Sequence, residues 1–317
     1  MMSEEIRQPL PNDSRPPDSG DPLPFPFNQR NFCRYEPIEK RIEAARVLVV
    51  DNLLRDERDI SEVGRQAWGA AAGVEIKRER VIAQLAVENI LKNISRLVKD
   101  PTTQVTSLAE LSEAAKQFNP DAIVLSGTLR DFDFYQPAII ETFGKFIRST
   151  KIPVLAICGG HQLVGLSFGA RVITLDRLEQ HEQRENRPAE YQYRFVRITN
   201  PRDPIFAGIN NPDSGVWQDY TQQARVLRVW QNHGLQLDSV PEGFELLAAS
   251  YLCRNQMMVR HEGGQLIYTV QFHLEKSFED WNKSRTRWEH QNESRDGRIL
   301  FENFLELALA HPAEPYS

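Results

Sequence analysis

Cys158 is the residue of this chain whose surroundings best suit covalent chemistry. It lies in Pro153-Val154-Leu155-Ala156-Ile157-Cys158-Gly159-Gly160-His161-Gln162, where an apolar, strand-like run meets two glycines. Small residues two positions to either side permit a sharp strand-to-helix turn that presents a side chain for attack. The start of a helix favours the thiolate form of a cysteine. This context predicts a nucleophile, and the alternative is a small buried apolar residue at a strand end.

A cysteine nucleophile needs a base, and His273 is the best candidate among the seven histidines. It ends another apolar run, Leu266-Ile267-Tyr268-Thr269-Val270-Gln271-Phe272-His273-Leu274-Glu275. In an extended backbone Glu275 lies on the same side as His273. A carboxylate there can accept the imidazole N–H and stabilise the imidazolium. The pair predicts a Cys-His-Glu triad, and the alternative is a strand-end histidine beside a surface glutamate.

Composition places the chain among globular proteins and excludes several classes of function. The 317 residues carry a net charge of −6, which gives no reason to expect binding to nucleic acid or to an anionic membrane. No apolar run reaches the roughly 20 residues of a membrane span, and the N-terminus lacks a signal-peptide pattern, so a cytoplasmic location is predicted. Cys33, Cys158 and Cys253 suggest neither a disulfide framework nor a zinc site. We therefore expect no metal and no cofactor.

The chain divides into an arm, one domain and a short tail. Residues 1–44 are predicted to be a disordered or loosely docked arm, because they are rich in Pro, Asp, Ser, Asn and Gln. Residues 45–312 are predicted to form a single domain with no second boundary, and residues 313–317 a tail. The charged segment from Leu178 to Glu190 is predicted to be a solvated excursion.

Strands alternate with helices through the first half of the domain. Strands are predicted at Val47–Asn52, near Gln104–Thr106, at Ala122–Ser126, at Val154–Ile157, and later at Phe195–Ile198, Val226–Val229 and Phe244–Ala248. Helices are predicted within 55–100, with Ile82, Leu85, Ala86, Ile90, Leu91 and Ile94 as an apolar face, and at 108–118 and 138–147. This order predicts an α/β fold with an open, mostly parallel sheet covered by helices on both faces. Asn52, Ser126 and Cys158 fall at the carboxyl ends of strands, where such sheets bind ligands.

These motifs together resemble the class I, triad-type glutamine amidotransferases. The resemblance rests on the Cys158 elbow followed by His161-Gln162, on Gln271-Phe272-His273-Leu274-Glu275, and on the leading strand, and it covers roughly residues 45–310. The segment Gln231-Asn232-His233-Gly234-Leu235 also resembles the glutamine-contacting loop of the carbamoyl-phosphate synthetase small chain. The resemblance implies a flavodoxin-like fold and hydrolysis of the glutamine side-chain amide through a thioester of Cys158.

The resemblance also implies roles for further residues. An oxyanion hole would come from the backbone of Gly159, with a second donor from Gly127 and Thr128. Gln162, Gly234 and Leu235 would bind glutamine. The chain departs from the family pattern at Ala156, where the family carries glycine, at Leu274, where it carries proline, and at Ser126-Gly127-Thr128-Leu129-Arg130, where it carries Ser-Gly-Gly-Pro-Gly.

Three functional hypotheses follow. The first is a glutaminase that delivers ammonia to a synthetase or transferase on another chain, because no nucleotide-binding loop of the Gly-x-x-x-x-Gly-Lys type is present. The second is a free-standing hydrolase of gamma-glutamyl amides or peptides. The third is a weakly active regulatory or binding module on the same fold, suggested by the altered Thr128 loop together with the N-terminal arm and the segment 55–100, which would be a docking surface. The segments 55–100 and 279–298 are predicted to be either partner contacts or solvated insertions.

Overall fold

A computed structural model of the chain describes residues 39–209, 226–276 and 295–311. The strands are β1 (Ile42–Asp51), β2 (Val98–Ser107), β3 (Ala122–Leu125), β4 (Val154–Ile157), β5 (Val172–Thr174), β6 (Glu190–Ile198), β7 (Val226–His233), β8 (Leu235–Leu237), β9 (Glu245–Ala249), β10 (Met257–Arg260) and β11 (Ile267–Val270). The α-helices are α1 (Glu62–Trp68), α2 (Ala72–Leu97), α3 (Leu111–Phe118), α4 (Pro137–Ser149), α5 (Gly159–Ser167) and α6 (Arg295–Ala310). The predicted strands and helices of the first half are all present, with longer bounds for β1, β2 and α4.

Nine strands form one sheet in the order β2-β1-β3-β4-β11-β10-β9-β6-β7. The strands from β2 to β11 in this order are parallel, and the remaining pairings are antiparallel. Strands β5 and β8 pair separately. The structure thus confirms the open α/β sheet. It also shows an antiparallel extension, β10-β9-β6-β7, that the sequence patterns did not predict. The ends of β1, β3, β4 and β11 meet at one edge because the strands run the same way.

Helices cover both faces of the sheet, as predicted. Successive residues of a strand point to opposite faces, so Val47 and Val49 of β1 pack with α2 and α6, whereas Leu48 and Val50 pack with α3, α4 and α5. Both sets of side chains are fully buried. The parallel half of the sheet is therefore a two-sided core that fixes the strand ends rigidly.

The apolar face predicted for the α2 region is partly wrong. Ile90 and Ile94 are buried as expected, but Ile82 is 45% and Leu85 57% exposed. The buried stripe instead runs through Ala83, Val87, Ile90, Ile94 and Leu97, which also follow three- and four-residue spacings. Two apolar stripes overlap on this helix, and only one of them faces the sheet.

Several predictions concern residues outside the described part of the chain. Of the predicted arm 1–44, residues 1–38 lie outside it, and β1 already begins at Ile42. The predicted tail 313–317, the domain end at 312 and most of the segment 279–298 lie outside it as well. No helix within the described ranges is long and apolar enough to cross a membrane.

Candidate active site

Cys158 lies at the junction of β4 and α5 with a backbone φ of 52° and ψ of −107°. A positive φ is rare for a non-glycine residue and costs of order 1–3 kcal/mol, so the surrounding packing must hold it. The Cys158 amide donates a 2.7 Å hydrogen bond to the Val270 carbonyl of β11. A methyl group at Gly160 would lie 3.0 Å from both Leu125 Cβ and the Ser126 carbonyl oxygen, so the small residue expected after the turn is sterically required.

His273 follows β11 and is fixed between two acidic or nucleophilic partners. Its amide donates a 2.8 Å hydrogen bond to the Trp230 carbonyl. Its Nδ1 lies 2.7 Å from Oε1 of Glu275. Its ring lies beside Cys158, since a methyl group at Gly127 would be 3.5 Å from His273 Cε1 and 4.0 Å from Cys158 Sγ. The three residues singled out from sequence therefore lie together at one edge of the sheet.

Burial and neighbouring charges shift the pKa values of His273 and Glu275 in opposite directions. Burial on its own lowers the pKa of His273, but the charges of Glu275 and Cys158 and its hydrogen bonds to both raise that pKa to about 10. Burial likewise raises the pKa of Glu275, and the charge and hydrogen bond of His273 lower it by more. His273 is therefore an imidazolium at neutral pH and can give a proton to a leaving group.

The position of Glu275 does not depend on the proline that Leu274 replaces. Asn93 of α2 donates a 2.7 Å hydrogen bond from Nδ2 to the Glu275 carbonyl oxygen. Leu274 is buried, and its backbone packs on Gly297 of α6, where a methyl group would lie 2.9 Å from the Leu274 carbonyl oxygen. Sequence reasoning missed Asn93, although a polar residue between Ile90 and Ile94 in a buried stripe is the signal that could have revealed it.

The loop after β3 packs directly on the start of α5. A methyl group at Gly159 would lie 2.6 Å from Thr128 Cβ and nearer still to the Thr128 backbone nitrogen. A methyl group at Gly127 would lie 3.5 Å from His273 Cε1 and 3.6 Å from Cys158 Cβ. The backbone amides of Gly159 and Thr128 are thus neighbours beside Cys158.

Polar contacts fasten that loop at both ends. Asn52 donates from its amide to Ser126 Oγ at 3.0 Å and from Nδ2 to the Ser126 carbonyl at 2.6 Å. Arg130 turns toward α2, where its Nη2 lies 3.1 Å from Glu75 Oε2 and its guanidinium carbon lies 4.9 Å from the centre of the Trp68 ring. The charge of Arg130 is therefore neutralised within the protein.

Gln162, Gly234 and Leu235 lie close together near Cys158. Gln162 Nε2 donates 3.0 Å hydrogen bonds to the Leu235 carbonyl and to Gln271 Oε1. Gln271 in turn places its Nε2 3.7 Å from Cys158 Sγ. Gly234 lies under Arg187, because a methyl group there would be 2.8 Å from Arg187 Cδ.

The prediction that residues 178–190 are a solvated excursion is wrong for two arginines. Arg187 pairs with both carboxylate oxygens of Asp131, at 2.8 and 3.0 Å, and Arg184 pairs with Asp131 and Asp133. Both arginines line the cavity above Cys158. Their partners are about 50 positions away in the chain, so no local pattern could have revealed the contacts.

A cavity of about 510 Å³ opens over Cys158 and His273 and has two unlike walls. One wall is polar and contains Gln162, Arg184, Arg187, Asn232 and Gly234. The other is apolar and contains Leu53, Ile82, Leu85, Ala86 and Leu129. The size falls within the range of small-molecule sites.

Comparison with known proteins identifies the family. The model of the glutamine amidotransferase class-I family matches residues 86–290. The chain belongs to this family. It is 34% identical over 170 residues to a subunit of the glutamine-hydrolysing GMP synthase of Thermococcus kodakarensis, covering 54% of this chain and 65% of that one. With the corresponding subunit from Methanothermobacter thermautotrophicus it shares 25% identity over 214 residues, 67% of this chain and 87% of that one.

A solved structure agrees at the level of the fold. The crystal structure of a protein assigned as a GMP synthase subunit from Thermoplasma acidophilum superposes with a TM-score of 0.50 at 23% identity, covering 84% of this chain and 94% of that one. The chain spans a little under two thirds of the Thermococcus relative's length. These likenesses confirm the resemblance drawn from the motifs.

Proposed function

We propose that this class-I amidotransferase hydrolyses the side-chain amide of glutamine to glutamate and ammonia. The observation that carries the proposal is the position of His273, whose Nδ1 lies 2.7 Å from Glu275 and whose ring lies beside Cys158. That arrangement combines a nucleophile, an acid-base group and an orienting carboxylate. Family membership and the names of the relatives, which are subunits of glutamine-hydrolysing enzymes, support the same reaction.

The reaction follows from the residues in two halves. Cys158 thiolate attacks the side-chain carbonyl carbon of glutamine, and the oxyanion that forms accepts hydrogen bonds from the Gly159 and Thr128 amides. The imidazolium of His273 gives its proton to the leaving nitrogen, and ammonia departs from a thioester. Water then attacks the thioester while His273 takes up a proton, which releases glutamate and restores the thiolate. Each oxyanion donor is expected to lower the barrier by about 3 kcal/mol.

The polar wall suits the amino-acid end of glutamine. Gln162, Gly234 and Leu235 lie there with Arg187 and Asp131, and this set supplies both charges and hydrogen-bonding groups. We propose that Gln162, Gly234 and Leu235 bind glutamine at this wall. The side-chain amide then lies over Cys158, and its nitrogen points toward His273 and α2.

Ammonia is proposed to pass to a synthetase on another chain. Each of the two relatives is named as one subunit of a GMP synthase, and such a name implies a further subunit in that enzyme. We propose residues 45–312 as the catalytic domain and a cytoplasmic location, both as predicted from the sequence.

The direct test is glutamate release from glutamine by wild type and by Cys158→Ala. We expect release by wild type and none by the variant. Cys253→Ala, which removes the other buried thiol, is the matched control and is expected to retain release. Equal release by wild type and Cys158→Ala would contradict the proposal.

The apolar wall supports a second candidate, hydrolysis of gamma-glutamyl amides. Ile82, Leu85 and Ala86 of α2 line the same cavity as His273. An apolar substituent on the amide nitrogen would contact them. The test compares kcat/KM for glutamine and for gamma-glutamyl anilide in wild type and Leu85→Gln. Preference for the anilide that falls selectively in Leu85→Gln would favour this candidate over ammonia delivery, and inactivity toward the anilide would exclude it.

A further inference from the structure

We propose that the buried pair Glu190 and His233 positions the glutamine loop, defined as Asn232–Leu235, and through it Gln162. The inference rests on the proposed glutamine site, whose binding residues it explains. Neither residue is proposed to contact the reacting atoms. They act as positioning residues for the group that binds the substrate.

His233 ends β7 and fixes the loop from behind. Only 2% of its side chain is exposed. Its Nδ1 lies 2.9 Å from the Leu235 carbonyl oxygen. A carbonyl can only accept, so Nδ1 carries the hydrogen and donates it. The contact closes a tight turn over Gly234 and sets the direction of the Leu235 carbonyl.

Glu190 stands directly across the sheet from His233. The two residues face each other in the β6–β7 register, and Glu190 Oε2 lies 3.1 Å from His233 Nε2. Nε2 makes no hydrogen bond within the described residues, so this contact is a close approach of the carboxylate to the imidazole. Gln256 Nε2 and Ser250 Oγ donate to the same carboxylate at 2.6 and 3.0 Å. A buried carboxylate held by several donors is a rigid anchor for the imidazole.

The contacts continue from the loop to Cys158. The Leu235 carbonyl that His233 fixes also accepts from Gln162 Nε2 at 3.0 Å. The second hydrogen of that nitrogen goes to Gln271 Oε1 at 3.0 Å. Gln162 therefore has only its Oε1 left for a ligand, and Oε1 is an acceptor. The pair thus makes Gln162 select an N–H donor of the substrate.

A direct contact, and not a metal ion, is the proposed link between Glu190 and His233. One atom each of Glu190, His233 and Cys253 lies within 4.8 Å of the others, a set that could hold a metal ion. The Cys253 thiol, however, donates a hydrogen bond to the Asn255 carbonyl at 3.3 Å. Burial first, and then the charge of Glu190, raise the pKa of that thiol, whereas metal binding requires the thiolate.

Two replacements of His233 distinguish loss of its hydrogen bond to Leu235 from a general loss of structure. The amide nitrogen of an asparagine side chain can take the place of Nδ1, whereas the nitrogen of glutamine reaches toward Nε2. We expect His233→Gln to raise KM for glutamine about tenfold, the effect of losing one of the two side-chain hydrogen bonds that fix the buried Leu235 carbonyl. His233→Asn is expected to retain most of the wild-type KM. In both variants kcat should change far less than KM does in His233→Gln.

The alkylation rates of Cys158 by two reagents distinguish a positioning role from a merely structural one. Iodoacetamide alkylates Cys158 without using an amino-acid site, whereas a glutamine-shaped chloroketone needs one. We expect His233→Gln and Glu190→Ala to slow alkylation by the chloroketone and to leave alkylation by iodoacetamide unchanged. His261→Asn makes the same kind of change at a half-exposed histidine and is expected to behave as wild type. Equal slowing with both reagents would overturn the proposal.

The outcomes distinguish this inference from the proposed function. Wild type that releases no glutamate contradicts the proposed function, whereas wild-type turnover with an unchanged KM in His233→Gln contradicts this inference alone. Elemental analysis tests the link itself. Purified wild type that carries about one equivalent of zinc, lost in Cys253→Ser, would overturn the direct contact. Protein purified without metal supports it.

Discussion

Replacing Gly159 with alanine tests the oxyanion hole without removing any hydrogen-bond donor. The new methyl group would lie 2.6 Å from Thr128 Cβ, and ordinary contact begins at 3.4 Å, so Thr128 must move by at least 0.8 Å. The Gly159 amide stays in place. The variant therefore displaces only the second proposed donor.

The expected magnitude follows from that displacement. A shift of about 1 Å in a catalytic group can cost about 100-fold in rate, and losing one oxyanion donor costs about 100- to 1,000-fold in kcat. We expect Gly159→Ala to lower kcat about 100-fold or more. KM for glutamine should change little, because the substrate carbonyl binds before the charge develops.

The assay is steady-state glutamate release with Gly73→Ala as a matched control. Gly73 lies in the first turn of α2, where a methyl group would meet only the end of the flexible Glu57 side chain at 3.2 Å. Gly73→Ala is expected to match wild type and to gain up to about 1 kcal/mol of stability. Alkylation of Cys158 by iodoacetamide in Gly159→Ala shows that the thiol is still presented.

A folded Gly159→Ala protein with kcat within about threefold of wild type would refute this reasoning, since a donor is worth far more than that. The Thr128 amide would then contribute nothing to the oxyanion hole. The departure from the family's glycine-rich loop would be a change without catalytic consequence.

The remaining predictions concern charge. In wild type, kcat/KM should stay level through neutral pH and fall above about pH 10 as His273 loses its proton. In Glu275→Gln the fall should begin at lower pH, because the carboxylate that raises the pKa of His273 is gone. An unchanged pH profile would contradict the pairing of Glu275 with His273. Burial raises the pKa of Glu79 to about 7 against an opposing effect of Arg130, so wild type loses stability between about pH 4.5 and 7. Urea unfolding should therefore show Glu79→Gln gaining up to about 3 kcal/mol relative to wild type from pH 5 to 8, and an equal difference at both pH values would be inconsistent with a raised pKa. Arg187→Ala should raise KM for glutamine about tenfold by breaking the pair with Asp131, and an unchanged KM would remove it from the substrate wall.

The sequence predicted the parallel half of the sheet and the triad geometry because both depend on short segments of the chain. Short apolar runs ending in Asn52, Ser126 and Cys158 are strands whose ends must meet once the strands are parallel. His273 and Glu275 are two residues apart, so their contact needs only an extended backbone. Such features depend little on contacts between residues that are far apart in the sequence.

Other features depend on pairings that no local pattern encodes. Two apolar stripes with the same spacing overlap on α2, and only the fold decides that Val87 is buried while Leu85 borders the cavity. Arg187 finds Asp131 across 56 positions. The antiparallel order β10-β9-β6-β7 likewise follows from the return path of the chain, which strand propensity does not specify.

Acid quenching during turnover, followed by mass analysis of the peptide that contains Cys158, tests the central claim most directly. We predict one glutamyl group on Cys158 as a thioester in wild type supplied with glutamine, and none in Cys158→Ala. Steady glutamate release with no glutamyl group on Cys158, or with the group on another residue, would contradict it.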